Sequence, residues 1–183
     1  MEKSIFKAKR KTRTYRQTIN ATPEKVFPLL CPVHEAEWLD GWQYNMIHSE
    51  SGLAEEGCLF STSHEGEEDT VWIITKHDSQ THEVEFARFT HKSRICVLKI
   101  AVESKNEMSS HVDISYMYTG ITPAGNDFID NFTEEAFLEA VTFWEKSMNF
   151  FLETGEKFRQ DEHAEQDQSN PVNPVQHVKK SGD

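Results

Sequence analysis

Alternation and helical spacing divide the chain into a small set of elements. From Thr14 to Asn20 the side chains alternate, with Tyr15, Gln17 and Ile19 on one parity, which predicts a first strand. Thr22 then suits a helix N-cap and Pro23 the first helical position, and Val26, Phe27, Leu29 and Leu30 give the apolar side of a short helix. Pro28 falls inside that helix and limits it to about two turns. Pro32 opens a second short helix through Leu39, closed by Asp40-Gly41.

Beyond Gly41 the text becomes strand-like, with runs near 43–50, 57–63, 69–77, 82–90, 93–103 and 109–119. Their connections are Ser51-Gly52, Glu65-Gly66-Glu67, Asp78-Ser79-Gln80, His91-Lys92 and Ser104 to Asn106, all short enough for hairpins. Consecutive hairpins predict an antiparallel meander. Parity then sorts the side chains. Val112, Ile114, Tyr116 and Tyr118 share one face of the last strand. With Glu83, Glu85 and Lys99 turned to water, Val84, Phe86 and Arg88 face inward on one strand, as do Arg94, Cys96, Leu98 and Ile100 on the next. Trp72, between Val71 and Ile73, sits on a strand apolar on both faces, so the outer face invites a cover such as a second subunit, giving a homodimer.

Thr122-Pro123 closes the last strand, and helical spacing runs from about Ala124 to Lys157. Phe137, Val141, Trp144, Met148 and Phe151 fall together at i, i+3, i+4 spacing, with Leu138, Leu152, Phe143 and Phe150 on the flanks. An arc that wide exceeds what one sheet face needs. The helix is expected to be gripped on more than one side or to touch another chain.

Composition and charge narrow the function classes. The chain has 183 residues, enough for one domain with tails, and no run of ~18 apolar residues that could form a transmembrane helix. No apolar h-region marks a secretory leader. Three scattered cysteines, Cys31, Cys58 and Cys96, fit neither a disulfide framework nor a zinc ribbon, and point to a reducing, cytoplasmic setting. The formal net charge is -12, but Lys3, Lys7, Lys9, Arg10, Lys11, Arg13 and Arg16 crowd the first sixteen residues. The body is therefore strongly acidic and repels polyphosphate, which argues against nucleic acid. Residues 160–183 carry no aromatic and only three valines, too little apolar surface to offset ordering entropy, and are expected to form a disordered polar tail. The expected organisation is a basic arm over 1–11, a domain over 12–159 and the tail over 160–183.

The order of elements resembles the helix-grip fold of the START and birch-pollen-allergen (SRPBCC) superfamily, including its polyketide cyclase/dehydrase-like branch. Ala21-Thr22-Pro23-Glu24-Lys25-Val26-Phe27 resembles that family's lead-in to its first helix, and Tyr118-Thr119-Gly120-Ile121-Thr122-Pro123-Ala124-Gly125-Asn126 its lead-in to the last. The resemblance implies an α+β fold: a seven-stranded curved antiparallel sheet around a long C-terminal helix, with two short helices after strand 1. It also implies an apolar cavity between sheet and helix. Phe137, Val141, Trp144 and Met148 are then candidate lining residues, or the filling of a solid core. Phe86, Tyr116 and Tyr118 face the same interior. Trp38 and Trp42 flank Asp40-Gly41, where family members open to the cavity; they form its rim or cap the core. Arg88 and Arg94 flank one hairpin on the inward parity, where an arginine clamps a carboxylate or phosphate group, pairs internally, or snorkels to solvent.

No catalytic signature accompanies these residues. There is no Gly-x-Ser-x-Gly elbow, no P-loop and no dinucleotide fingerprint. The densest potential metal cluster, His34 with Glu35 and Glu37, lacks a second histidine one turn on, and no metal or other cofactor is expected. His64, His77, His82 and His91 fall in or beside turns. Three readings follow: a carrier or sensor of a small hydrophobic molecule, lipid- or polyketide-like; a cyclase, aromatase or dehydratase working through Tyr116, Tyr118, Arg88 and Arg94; or a co-chaperone-like interaction module.

Overall fold

The computed structural model describes residues 6–63 and 69–159. The Glu65-Gly66-Glu67 turn, His64, the first five residues and the expected tail over 160–183 lie outside the described residues. Seven strands form one antiparallel sheet in the order β1-β7-β6-β5-β4-β3-β2. They are β1 (Arg10–Ile19), β2 (Asn45–His48), β3 (Leu59–Thr62), β4 (Thr70–Asp78), β5 (Glu83–Thr90), β6 (Arg94–Asn106) and β7 (Ser109–Gly120). The meander from β2 to β7 leaves one edge open, and β1 pairs with β7 along its whole length, from Arg10 opposite Thr119 to Ile19 opposite Ser110.

Two short helices leave β1. The first, α1 (Pro23–Val26), passes directly into a 3₁₀ turn over Phe27–Leu30, because Pro28 cannot donate to a continuing α-helix. Thr22 occupies the N-cap position but its side chain makes no capping bond. The second, α2 (Pro32–Trp38), buries Pro32, Glu35 and Trp38.

The structure corrects the sequence expectation at three places. The first strand begins at Arg10 rather than Thr14, because Lys9 N–H bonds the Asn126 side chain and β7 offers a partner for each residue. The β6–β7 turn falls at Glu107 and Met108, since Ser104 to Asn106 still pair as strand. Most consequentially, the helix expected over 124–157 is two helices, α3 (Pro123–Asn131) and α4 (Glu134–Thr154). Thr133 accepts a hydrogen bond from Ala136 N–H and opens α4, with Glu134 and Glu135 in its first turn beside the positive end of the helix dipole. The break exposes the Phe132 carbonyl, which accepts hydrogen bonds from Lys11 and Arg13 of β1. Part of the N-terminal positive charge thus serves a helix C-terminus, where cations are favoured.

Gly120 and Gly125 explain why α3 lies so close to the end of β7. A Cβ on Gly125 would stand 1.8 Å from the Ser93 carbonyl oxygen, and one on Gly120 would meet Asn126 at 2.6 Å. Thr122 fixes the same corner: its hydroxyl donates to the Lys92 carbonyl and accepts from Gly125 N–H.

The sheet curls around α4. On the side of β1, Thr18 N–H donates to Glu145, Asn149 donates to the Thr18 carbonyl, and the buried Gln17 amide donates to the Val141 carbonyl at 2.7 Å. On the other side α4 meets α2, where the Trp38 and Trp144 rings are 6.1 Å apart, edge to face. The helix is therefore held from two directions, as the width of its apolar arc requires. No helix among the described residues is long and apolar enough to cross a membrane.

The outer face of the sheet is divided. Leu59, Ile73, Ala87, Val97 and Met117 lie opposite one another across five strands, and Val71, Phe89 and Ile95 form the next row. Val71, Ile73, Phe89 and Ile95 are exposed. Farther along the strands the face is charged and paired: Lys99 with Glu85 at 2.9 Å, Arg16 with Asp113 at 2.5 Å, and Lys76 with Glu83.

Candidate functional site

The inward parity holds along the central strands, so Phe86, Arg88, Cys96, Tyr116 and Tyr118 converge on the concave side, facing α4. The ring of Trp72 arrives there from β4. Its indole N–H donates to Thr62 at 2.9 Å, and its ring stacks on Phe60 with centroids 5.2 Å apart. Phe86 and Trp42 meet the same ring edge to face. The guanidinium of Arg88 lies 4.0 Å above the Trp72 ring and donates to the Tyr118 hydroxyl at 3.3 Å. An arginine over an indole out of water gains about 2 kcal/mol from the ring quadrupole, one way to hold a cation on an inner face.

Tyr116 and Tyr118 stack at 5.9 Å, and Phe137 of α4 meets Tyr116 edge to face at 6.0 Å. Tyr118 also packs on Phe128 of α3 and on Phe132, which caps that helix. Tyr116 is half-buried among these rings. Burial pushes its phenol far above the ordinary range, and pushes Tyr118 up to about 12 and the Cys96 thiol up to about 11, with Arg88 opposing each shift. All three are neutral at physiological pH.

Glu35 of α2 completes the cluster. It is 6% exposed, and among the described residues its carboxyl group accepts no hydrogen bond. Burial raises its pKa from the ordinary 4.5 to about 8, against the opposing charge of Arg88. Helical spacing contained the signal: Cys31, Glu35, Trp38 and Leu39 share one face, and all are buried. The sequence groups Glu35 with His34 and Glu37 as its densest potential metal cluster. The structure separates them, since His34 pairs with Glu37 at 2.8 Å on the outer side of α2.

The remaining candidates are distributed as follows. Trp38 is fully buried and donates to the Leu29 carbonyl, which places it in the interior rather than at a rim. Trp42 is half-buried against Phe60 and Trp72 and donates to the Pro32 carbonyl. Val141 and Met148 are buried on the inner face of α4, and Trp144 is half-buried beside Trp38. Arg94 diverges from Arg88: its guanidinium lies 3.7 Å over the Phe128 ring and donates to Ser93, at the α3 end of the sheet. The two arginines thus serve different surroundings. The interior has an apolar wall of tryptophans and phenylalanines, and one polar pole made of Glu35, Arg88, Tyr116 and Tyr118.

No family model and no curated relative matches the chain. Solved structures do. Norcoclaurine synthase of Thalictrum flavum superposes with a TM-score of 0.61 at 13% identity, over 82% of this chain and 99% of that one. Ara h 8.0201 gives 0.57 at 12% identity, over 80% and 99%. The Zhui aromatase/cyclase of Streptomyces sp. R1128 gives 0.57 at 7% identity, over 82% and 100%. At such identities the likeness establishes the fold alone, a helix-grip architecture, and carries no residue roles.

Proposed function

We propose that this chain binds a small, largely apolar molecule between its sheet and α4, as a carrier or sensor. The observation that supports this reading is the concave face itself, where the Trp72, Phe86, Tyr116 and Phe137 rings form an aromatic wall beside few polar groups. Ligand sites of this kind combine an apolar lining with few polar groups. The fold is compatible, since norcoclaurine synthase of the same architecture has been solved with dopamine and hydroxybenzaldehyde. Three buried free cysteines support a reducing, cytoplasmic setting. Native mass spectrometry of the protein purified gently from its own host tests the reading. A retained small molecule is expected. A protein that arrives empty, and stays empty after exposure to a cell lipid extract, overturns it.

A second reading, an enzyme of the cyclase or dehydratase type, is favoured by one observation. A buried carboxyl group titrating near 8 beside Arg88 is placed as acid–base catalysts are. Turnover of the retained molecule by the native protein, lost in Glu35→Gln, would select this reading over the carrier.

As a partner we propose a second copy of the chain on the outer sheet face. Its apolar rows hold five residues across five strands and three across the next row, a footprint of about 260 Å² from strand and residue spacings. With exposed Val71, Ile73, Phe89 and Ile95 at its centre, it fits part of the apolar core of an interface of ~800 Å² per partner. Around it Glu83, Glu85, Glu103 and Asp113 are matched by Arg10, Arg16, Lys76 and Lys99, so this face is neutral in an acidic chain. Sedimentation should show a dimer that Phe89→Lys converts to monomer; a monomer at all concentrations overturns the proposal.

A further inference from the structure

We propose that Glu35 is the polar anchor of the cavity and binds a carbonyl oxygen of an otherwise apolar, uncharged ligand. This inference rests on the ligand-binding reading above. Its starting point is an anomaly of satisfaction. Buried polar groups are nearly always hydrogen-bonded, and a carboxyl group left without a partner is costly. Glu35 is nine-tenths buried, yet no described residue donates to its side chain. Arg88 of β5 acts on it through its field, and Tyr116 of β7 feels the Glu35 charge in turn. A group held in this position and left unsatisfied is one that meets its partner from the cavity.

The protonation state decides what that partner is. With its pKa raised to about 8, Glu35 is neutral at physiological pH and presents an O–H donor. The groups around it in the polar pole are the Arg88 guanidinium and the Tyr116 and Tyr118 phenols, all capable of donating. Cys96 stands behind them as a neutral thiol. Across the contact with α4 stand Trp38 and Trp144, which carry no titratable group. On α2 itself, His34 and Glu37 pair with each other on the solvent side. A pole made of donors selects a ligand that offers an acceptor, and the aromatic wall selects an apolar body behind it. A ketone on a hydrophobic or polycyclic frame has this chemistry.

The test uses two probes of nearly equal shape, 2-acetylnaphthalene and 2-ethylnaphthalene, titrated into the full chain by tryptophan fluorescence. Near about pH 6.5 the ketone should bind about tenfold more tightly, the worth of one net hydrogen bond. Near about pH 9.5 that preference should vanish as Glu35 ionises, while Tyr118 and Cys96, at about 12 and about 11, stay neutral. Glu35→Gln keeps a donor that does not titrate, so its ketone preference should persist at both pH values. Glu35→Leu should bind the ethyl compound normally and lose the preference, which also shows that the variant is folded. A preference that survives in Glu35→Leu, or that ignores pH in the wild type, overturns the anchor while leaving the ligand-binding reading intact. Failure of both probes to bind overturns the two together.

Discussion

Trp72 and Ile73 are neighbours on β4, and they belong to opposite worlds. Trp72 is buried against Phe60, Phe86 and the Arg88 guanidinium, whereas Ile73 stands on the outer face, exposed, between Leu59 and Ala87. The contrast extends over the whole sheet. Its inner face carries an arginine, two phenols and, from α2, a carboxyl group, all out of water. Part of its outer face carries a field of exposed aliphatics and Phe89. Ordinary sheets bury the apolar face and wet the polar one. Here polar chemistry has been brought inside and apolar surface left outside. Both departures carry a free-energy cost, which a ligand on the inner face and a partner on the outer face would offset.

Breaking the inner face should have the largest effect. Trp72→Ala removes the plane on which Arg88 rests and should cost about 3–5 kcal/mol in urea denaturation. In the Phe89→Lys background, where the proposed dimer is absent, Ile73→Ala should cost less than about 1 kcal/mol. Equal losses would mean that the two faces are equally packed, and the contrast would fall.

Glu35→Gln comes next, with a sign set by linkage. Below its ordinary value of 4.5 the carboxyl group is protonated in folded and unfolded chains alike and costs nothing extra. As pH rises towards about 8 the unfolded chain releases the proton and the folded one retains it, so stability is lost across that window and then levels off. The variant should therefore melt several degrees higher than wild type near pH 8, with the advantage shrinking to nothing as pH falls below 4.5. A constant advantage at every pH would assign the effect to packing instead.

The smallest effect belongs to the charged half of the outer face. A double-mutant cycle on Lys99 and Glu85 should return a coupling of about 0.5 kcal/mol that fades with salt, because the pair is exposed. Coupling several times larger, in a protein that sediments as a dimer, would place that pair inside the interface.

Much of the architecture was legible in the text. Strict alternation fixes which side of β5, β6 and β7 turns inward, and Arg88 and Tyr116 lie on that side of the sheet. The division of the last helix was also written there, in Thr133 followed by Glu134 and Glu135, but the continuous apolar spacing from Phe128 to Phe137 masked it. The fate of the N-terminal basic residues was not readable. Only the pairing of β1 with β7 brings Lys11 and Arg13, some 120 residues away in sequence, to the Phe132 carbonyl.

The sequence by itself determined the parity of the central strands, the turns after β4 and β5 and the amphipathic face of α4, because these are local: they follow from the periods of strand and helix. The tertiary structure alone decided that Glu35 and Arg88 share one interior, that Arg94 leaves it for Phe128, and that the outer aliphatics form rows. Each depends on register between strands and on where a seven-residue helix lies across the mouth of a curved sheet. Those distances are set by long-range packing, and no period in the chain encodes them.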